Sequence, residues 1–354
     1  MPSDAASAAR DGLSIAQLRT LRLALGTALS LWFSQVVGWQ MSFVAPVITM
    51  FLLALPLPAP KFRSGLLFVL VMTGCMYGGT LLLPTLVNQP AVGVLLLVLA
   101  LFWSFYYTAS GGSAILGTFA TLGIALTAAI GSVNIDAVFI LANALGFATA
   151  VGILFVWIAY AILPDSVAYD ALPSGVGPGK KAAEPPDAGE ARWSAFRSLL
   201  IVFPVAAWFL LSAASTAYLP VMLKVASMGQ QTTNEGTRQA AHSLIASTLI
   251  GGALAIIGWN VLTIAPTLPV YTLFIALAGL FVGPRVFKGL GMQPNGAMWS
   301  YAYLTMIVIL APAVMDSASG APAGAKFWDR LLMFGGTALY ALVAVYIVDA
   351  FRRK

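Results

Sequence analysis

Charged side chains are scarce in this sequence of 354 residues. They make up 8 % of the residues, whereas a soluble domain carries about 25 %. Hydrophobic residues account for 60 %, and the mean hydropathy is +0.91. A chain with so little charge cannot cover a water-exposed surface. The composition therefore excludes an ordinary soluble protein and predicts an all-α polytopic membrane protein.

Cysteine and histidine are nearly absent. The single cysteine, Cys75, excludes an intramolecular disulfide and a cysteine-based metal site, and His242 is the only histidine. The sequence also has no carboxylate cluster and no nucleophile motif of the kind that a membrane-embedded enzyme needs. We therefore predict a protein that is not an enzyme and that holds neither a metal nor a cofactor.

Long apolar runs fill most of the chain. Twelve segments predict transmembrane helices, since a bilayer core requires about 20 apolar residues. They lie at 18–38, 39–57, 64–83, 91–107, 113–130, 136–163, 193–214, 217–228, 242–262, 268–282, 298–314 and 327–351. The sequence leaves open whether the second and eighth elements cross the bilayer completely.

The twelve segments fall into two halves. A linker rich in Pro and Gly at 164–192 separates six spans at 18–163 from six at 193–351, and short tails at 1–17 and 352–354 flank them. Arg22 and Pro46 in the first half have counterparts at nearly the same spacing in the second, Arg197 and Pro220. Six spans in each half give both the same orientation, which predicts two parallel repeats.

The net charge of +6 follows from topology rather than from a nucleic-acid partner. With the N terminus inside, 16 of the 18 Lys and Arg residues lie on the inner side, and only Lys326 and Arg330 lie outside. Cytoplasmic segments of membrane proteins carry this excess of cations. We therefore predict that both termini are cytoplasmic.

Several connections between spans also lead to predictions. The segment Pro84–Pro90 predicts a turn, and Asp316 and Lys326 fall in a predicted loop. Asp329 and Arg330 are expected to cap the twelfth span.

Two glycine pairs have the GxxxG spacing, Gly74 with Gly78 and Gly279 with Gly283. This spacing is typical of close helix packing in membranes.

The most polar stretch inside the apolar chain is 217–247. Lys224 lies there in an apolar run, four residues after Pro220, which weakens a helix. A cation inside a membrane is costly, so Lys224 is a candidate for binding a carboxylate. The alternative is that its ammonium group snorkels to the inner interface and only sets topology.

If the segment from Gln231 onward is helical, the spacings of four, three and four place Gln231, Glu235, Arg238 and His242 on one face. Glu235 and Arg238 form either an ion pair at the inner mouth or an ordinary solvated loop. Histidine titrates near physiological pH, so His242 is a candidate proton carrier, and Glu235 is a second. The alternative for His242 is a hydrogen-bonded helix cap.

Asn143, in the sixth span, is the remaining candidate for binding substrate. Hydrogen bonding between helices is the commoner use of an asparagine in a membrane span.

The order of these features resembles a known family. A basic residue precedes span one, Trp39 and Pro46 open span two, and Lys61 and Arg63 lead to a span rich in glycine, LFVLVMTGCMYGGTLL. This pattern resembles the fusaric acid resistance and aromatic acid exporter superfamily, and within it a small branch known as a domain of unknown function. The resemblance implies proton-coupled export of weak aromatic acids across a bacterial inner membrane, and a periplasmic membrane-fusion adaptor as partner.

The same resemblance leaves other functions open. An uncoupled organic-anion channel is one alternative, and a membrane subunit of an adaptor-linked efflux complex is another. Plant malate channels are similar in their six-span module and work as dimers, so a homo-oligomer is a further expectation.

Overall fold

A computed structural model describes residues 14–39, 41–131, 135–164, 187–211, 237–318 and 323–352. Helices account for almost all of these residues. They are α1 (Ile15–Val37), α2 (Val44–Ala54), α3 (Phe62–Thr80), α4 (Leu83–Asn88), α5 (Pro90–Ala109), α6 (Ala114–Gly131), α7 (Ile135–Ile162), α8 (Ala188–Leu211), α9 (Thr237–Ile264), α10 (Leu268–Val286), α11 (Gly296–Ala318) and α12 (Ala323–Arg352). The short strands β1 (Phe287–Lys288) and β2 (Gly291–Met292) pair antiparallel between α10 and α11.

Six helical stretches within the described ranges are long and apolar enough to cross a membrane. They are Phe62–Asn88, Pro90–Ala109, Asp136–Ile162, Ile245–Ile264, Leu268–Val286 and Gly296–Ser317. By the length and composition of these helices, the prediction of an all-α membrane protein is confirmed.

Several predicted boundaries are wrong. The second span, predicted at 39–57, is only the 11-residue helix α2. The predicted turn at 84–90 holds helix α4, because Pro84 lies in its first turn, where a missing backbone N–H costs nothing. Helix α8 begins at Ala188, so the end of the predicted linker is helical. The eighth element, 217–228, lies outside the described residues.

The predicted loop around Asp316 is also wrong in part. Asp316 belongs to the last turn of α11, and Lys326 belongs to the first turn of α12. Two cations follow the predicted end of span ten: Arg285 lies in the last turn of α10, and Lys288 lies in strand β1.

Helix α1 begins and ends at well-defined caps. Ser14 and Gln17 form a capping box, in which the Gln17 backbone N–H donates to Ser14 Oγ and the Ser14 N–H donates to Gln17 Oε1. Gly38 closes the helix with a left-handed φ of 66°, a conformation that glycine adopts without steric cost.

The chain divides into two compact units that are interleaved along the sequence. Unit one comprises Met1–Leu66, Ala148–Lys181 and Ile250–Leu310. Unit two comprises Leu67–Phe147, Ala182–Leu249 and Ala311–Lys354. Each unit therefore draws segments from both predicted halves.

Unit one is built around α1, which packs against α2 and α10. A Cβ atom on Gly279 would lie 2.7 Å from Ala24 Cα, and one on Gly283 would lie 2.4 Å from Thr20 Cγ2. The Gly279/Gly283 pair therefore permits the close helix packing that its spacing predicts. A Cβ on Gly74 or Gly78 would have no neighbour within 4 Å among the described residues, so the same prediction fails for that pair.

Unit two packs α8 against α5, α6 and α12, and α3 against α6 and α7. Gly79 leaves room for Thr127, whose Oγ1 would lie 2.7 Å from a Cβ at position 79. Gly146 likewise leaves room for Thr73, whose Oγ1 would lie 2.6 Å from a Cβ at position 146. Thr127 Oγ1 also donates to the Met76 carbonyl at 3.1 Å. These contacts fix the position of α3 between α6 and α7.

Candidate functional site

A polar pair joins α3 and α7 in unit two. Tyr77 donates its hydroxyl hydrogen to Asn143 Oδ1 at 2.8 Å. Asn143 thus makes a hydrogen bond between helices, as the commoner alternative predicted, through its oxygen atom. The sequence does not single out Tyr77, although it is the one phenol in the glycine-rich third span.

The amide nitrogen of Asn143, unlike its oxygen, takes no part in this hydrogen bond. No acceptor for its two hydrogens is found within the described ranges, and the residue is exposed. Asn260 in α9 provides a comparison, because it is also exposed but its Nδ2 donates to the Ile256 carbonyl of its own helix at 2.8 Å. Asn143 therefore presents two unused N–H donors, whereas Asn260 presents one.

The position of Asn143 along α7 lies well inside a candidate span. Asn143 is seven residues beyond Asp136, where that span begins, which corresponds to about 10 Å along the helix axis. An amide with unused donors is costly to place in hydrocarbon. The Asn143 amide is therefore suited to a polar space rather than to lipid tails.

An aromatic ring lies beside the polar pair. The centroid of Phe139 is 6.0 Å from that of Tyr77, and the two rings are tilted by 40°. Phe139 is one helical turn from Asn143, and 42 % of its surface is exposed. The site combines the N–H donors of the Asn143 amide with the apolar ring faces of Tyr77 and Phe139, and this combination can hold an aromatic carboxylate.

The other sequence-predicted residues belong to the polar stretch 217–247. Arg238 and His242 lie one turn apart at the start of α9, in the same compact unit as Asn143. Lys224 and Glu235 lie outside the described residues. The structure therefore neither brings these four side chains to Asn143 nor separates them from it.

Two arginines that the sequence analysis did not count as site residues are buried. Arg19 and Arg22 belong to α1 and are 3 % and 1 % exposed. Arg19 donates to the carbonyls of Leu290 at 2.7 Å and Pro56 at 3.4 Å, and Arg22 Nε donates to that of Leu163 at 2.6 Å. The Arg22 guanidinium also lies over the Tyr160 ring, 4.3 Å from its centroid. The two arginines thereby join α1 to three connecting segments of unit one: the one after α2, the one after α7 and the turn between β1 and β2.

Fold and site together define a multi-pass α-helical membrane protein. Residues 19–160 match the model of a family described as a protein of unknown function, DUF2955. This match confirms the part of the resemblance that pointed to a domain of unknown function, and it does not name fusaric acid resistance. No curated protein matches the chain, and no solved structure does so either.

Proposed function

We propose that this chain is a bacterial inner-membrane transporter that exports weak organic acids, mainly aromatic ones, in exchange for protons. The observation that carries the proposal is the exposed Tyr77–Asn143 pair beside Phe139 within a candidate span. A carboxylate accepts hydrogen bonds from the unused N–H groups of the Asn143 amide, and an aromatic ring packs on an aromatic side chain. The resemblance to aromatic acid exporters favours the same substrate class.

The twelve-span, two-repeat architecture is part of the proposal. In unit one, α1 packs against α10, and in unit two α8 packs against α5. On the predicted span numbering, the first span of each half thus meets the fourth span of the other half. An exchange of this kind between two similar halves supports a parallel repeat.

The residues of the polar stretch receive roles within this proposal. Lys224 and Arg238 attract the substrate carboxylate from the cytoplasm, because cations near the inner surface raise the local concentration of anions. His242 or Glu235 carries the coupling proton, since their protonation changes with pH. A periplasmic membrane-fusion adaptor receives the exported acid, and both termini are cytoplasmic.

The test is uptake of labelled benzoate into inside-out vesicles, with and without an imposed pH gradient. We expect wild-type vesicles to accumulate benzoate only with the gradient. Asn143→Ala lowers this accumulation at least about ten-fold, because it removes the donors to the carboxylate. Asn260→Ala is the matched control and leaves accumulation unchanged, since Asn260 bonds to its own helix and is not part of the group formed by Tyr77, Asn143 and Phe139.

Three outcomes would count against the proposal. Equal losses in the two asparagine variants would show that Asn143 has no special role. Equilibration of benzoate that ignores the pH gradient would indicate an uncoupled channel. Accumulation that persists at normal protein abundance in Lys224→Ala would remove the cation from the mechanism.

A further inference from the structure

Three charged side chains from two helices meet within unit two. Arg330 Nη2 donates to Asp316 Oδ2 at 2.6 Å, and Lys326 Nζ donates to Asp316 Oδ1 at 3.2 Å. Lys326 and Arg330 are one turn apart on α12, and Asp316 is in the last turn of α11. The four residues between the two helices in the sequence, SGAP, carry no charge. Among the described residues, one carboxylate thus faces two cations, and this cluster of three side chains has an excess of one positive charge.

The next carboxylate in the sequence, Asp329, does not remove this excess. Asp329 precedes Arg330 in the sequence, but it is exposed and forms no ion pair with the described residues. Arg330 lies instead on the buried face of α12, in line with Phe327 and Phe334, which are both fully buried. The predicted role of Asp329 and Arg330 as a helix cap is therefore wrong for Arg330, whose side chain binds a neighbouring helix.

The guanidinium of Arg330 is only partly used. The residue is 6 % exposed, and its buried Nη1 has no hydrogen-bond partner among the described residues. A guanidinium carries five N–H donors in a fork that matches a carboxylate, and a buried donor without an acceptor is costly. Both the unused donor and the excess charge would be satisfied by one small anion.

We infer that Arg330 and Lys326 form a binding site for a small monocarboxylate, with Asp316 as a competing internal ligand. The accessible edge of the cluster consists of Lys326 and Asp316, whose side chains are 40 % and 19 % exposed. A ligand carboxylate entering at this edge takes Lys326 Nζ and the unused Arg330 donor. The bound carboxylate restores the charge neutrality of the cluster. Asp316 then shares Lys326 and Arg330 with the ligand.

The site fits the proposed function and rests on it for the choice of ligand. Lys326 and Arg330 are the two cations that the charge pattern places outside, so the site is positioned to take the acid on the release side. Binding to this site is measured without a pH gradient and without transport. The two proposals therefore fail separately.

The experiment measures benzoate binding to the purified full-length chain by calorimetry, in an Asn143→Ala background that removes the first site. Benzamide, the neutral isostere, is the ligand control. We expect benzoate to bind and benzamide not to bind. Asp316→Asn tightens benzoate binding about ten-fold because it removes the competing charge, and Arg330→Gln weakens it by at least about ten-fold.

Arg285→Gln is the matched control, because Arg285 is an exposed arginine stacked on Phe281 and Trp299 elsewhere in the chain. It should bind benzoate like the parent. Equal binding by the Arg330→Gln and parent proteins would overturn the site, and so would equal binding of benzamide. If Arg330→Gln does not fold, Asp316→Asn decides alone, since unchanged or weaker binding in that variant contradicts an internal competitor.

Discussion

Gly279 of α10 lies so close to Ala24 of α1 that a Cβ atom on the glycine would be 2.7 Å from Ala24 Cα. The contact is with backbone, which cannot rotate away as a flexible side chain would. Gly279→Ala therefore forces α1 and α10 apart. Overpacking of this kind costs about 1–3 kcal/mol of unfolding free energy, and a lower midpoint in thermal unfolding of the detergent-solubilised protein should report it.

Gly74→Ala is the control for this prediction. Gly74 has the same GxxxG spacing, but a Cβ there meets nothing within 4 Å among the described residues. We expect no loss of stability in this variant. Equal destabilisation of both variants would mean that the loss of glycine itself, rather than the contact with Ala24, is responsible.

A second prediction concerns Arg22, whose Nε–H donates to the Leu163 carbonyl just after α7 ends. Carbonyls at a helix C terminus carry partial negative charge, which favours a nearby cation. Arg22→Lys keeps the charge but loses the planar group that both donates to Leu163 and stacks on Tyr160. We expect a loss of about 1.5–3 kcal/mol in unfolding free energy, measured by denaturation in detergent.

Arg63→Lys is the control for Arg22, because Arg63 is an exposed cation at the start of α3. Its unfolding midpoint should match that of the wild type. A stable Arg22→Lys protein would show that charge alone suffices at this position.

The sequence predicts the long apolar helices well and the short or polar elements poorly. Hydrophobic length is sufficient to find α3, α5, α6, α7 and α10, since a run of about 20 apolar residues has few other uses. Proline misleads at α4, because Pro84 breaks a helix interior but is tolerated in a first turn.

The candidate site shows a different limit. Asn143 stands out in the sequence as an amide in an apolar span, but its partner Tyr77 is 66 positions away on another helix. The pairing depends on the packing of α3 against α7 through Gly146, which no local pattern encodes. The cluster of Asp316, Lys326 and Arg330 was missed for the same reason, because it forms only where α11 and α12 meet.

A third prediction tests the aromatic preference of the site. Phe139→Leu removes the ring beside Tyr77 and keeps an apolar side chain of similar reach. Uptake of benzoate by the vesicles should fall roughly two- to ten-fold relative to uptake of hexanoate. This factor corresponds to the free energy of one contact between aromatic rings. Phe196→Leu is the control, because Phe196 is an equally exposed phenylalanine on α8, and it should leave the ratio unchanged.

A last prediction tests orientation, and the single cysteine makes it straightforward. Cys75→Ala removes that thiol, after which Lys288→Cys and Lys326→Cys each introduce one new label site. Lys288 lies just after α10, and Lys326 lies in the first turn of α12. The one candidate span between them is in α11, so the two positions should lie on opposite sides of the membrane. The excess of cations on one side predicts that Lys288 is cytoplasmic and that Lys326 is outside. An impermeant maleimide should therefore label Lys326→Cys in spheroplasts and Lys288→Cys only in inside-out vesicles. Labelling of both positions from one side would mean that α11 does not cross, and the reversed pattern would place the termini outside.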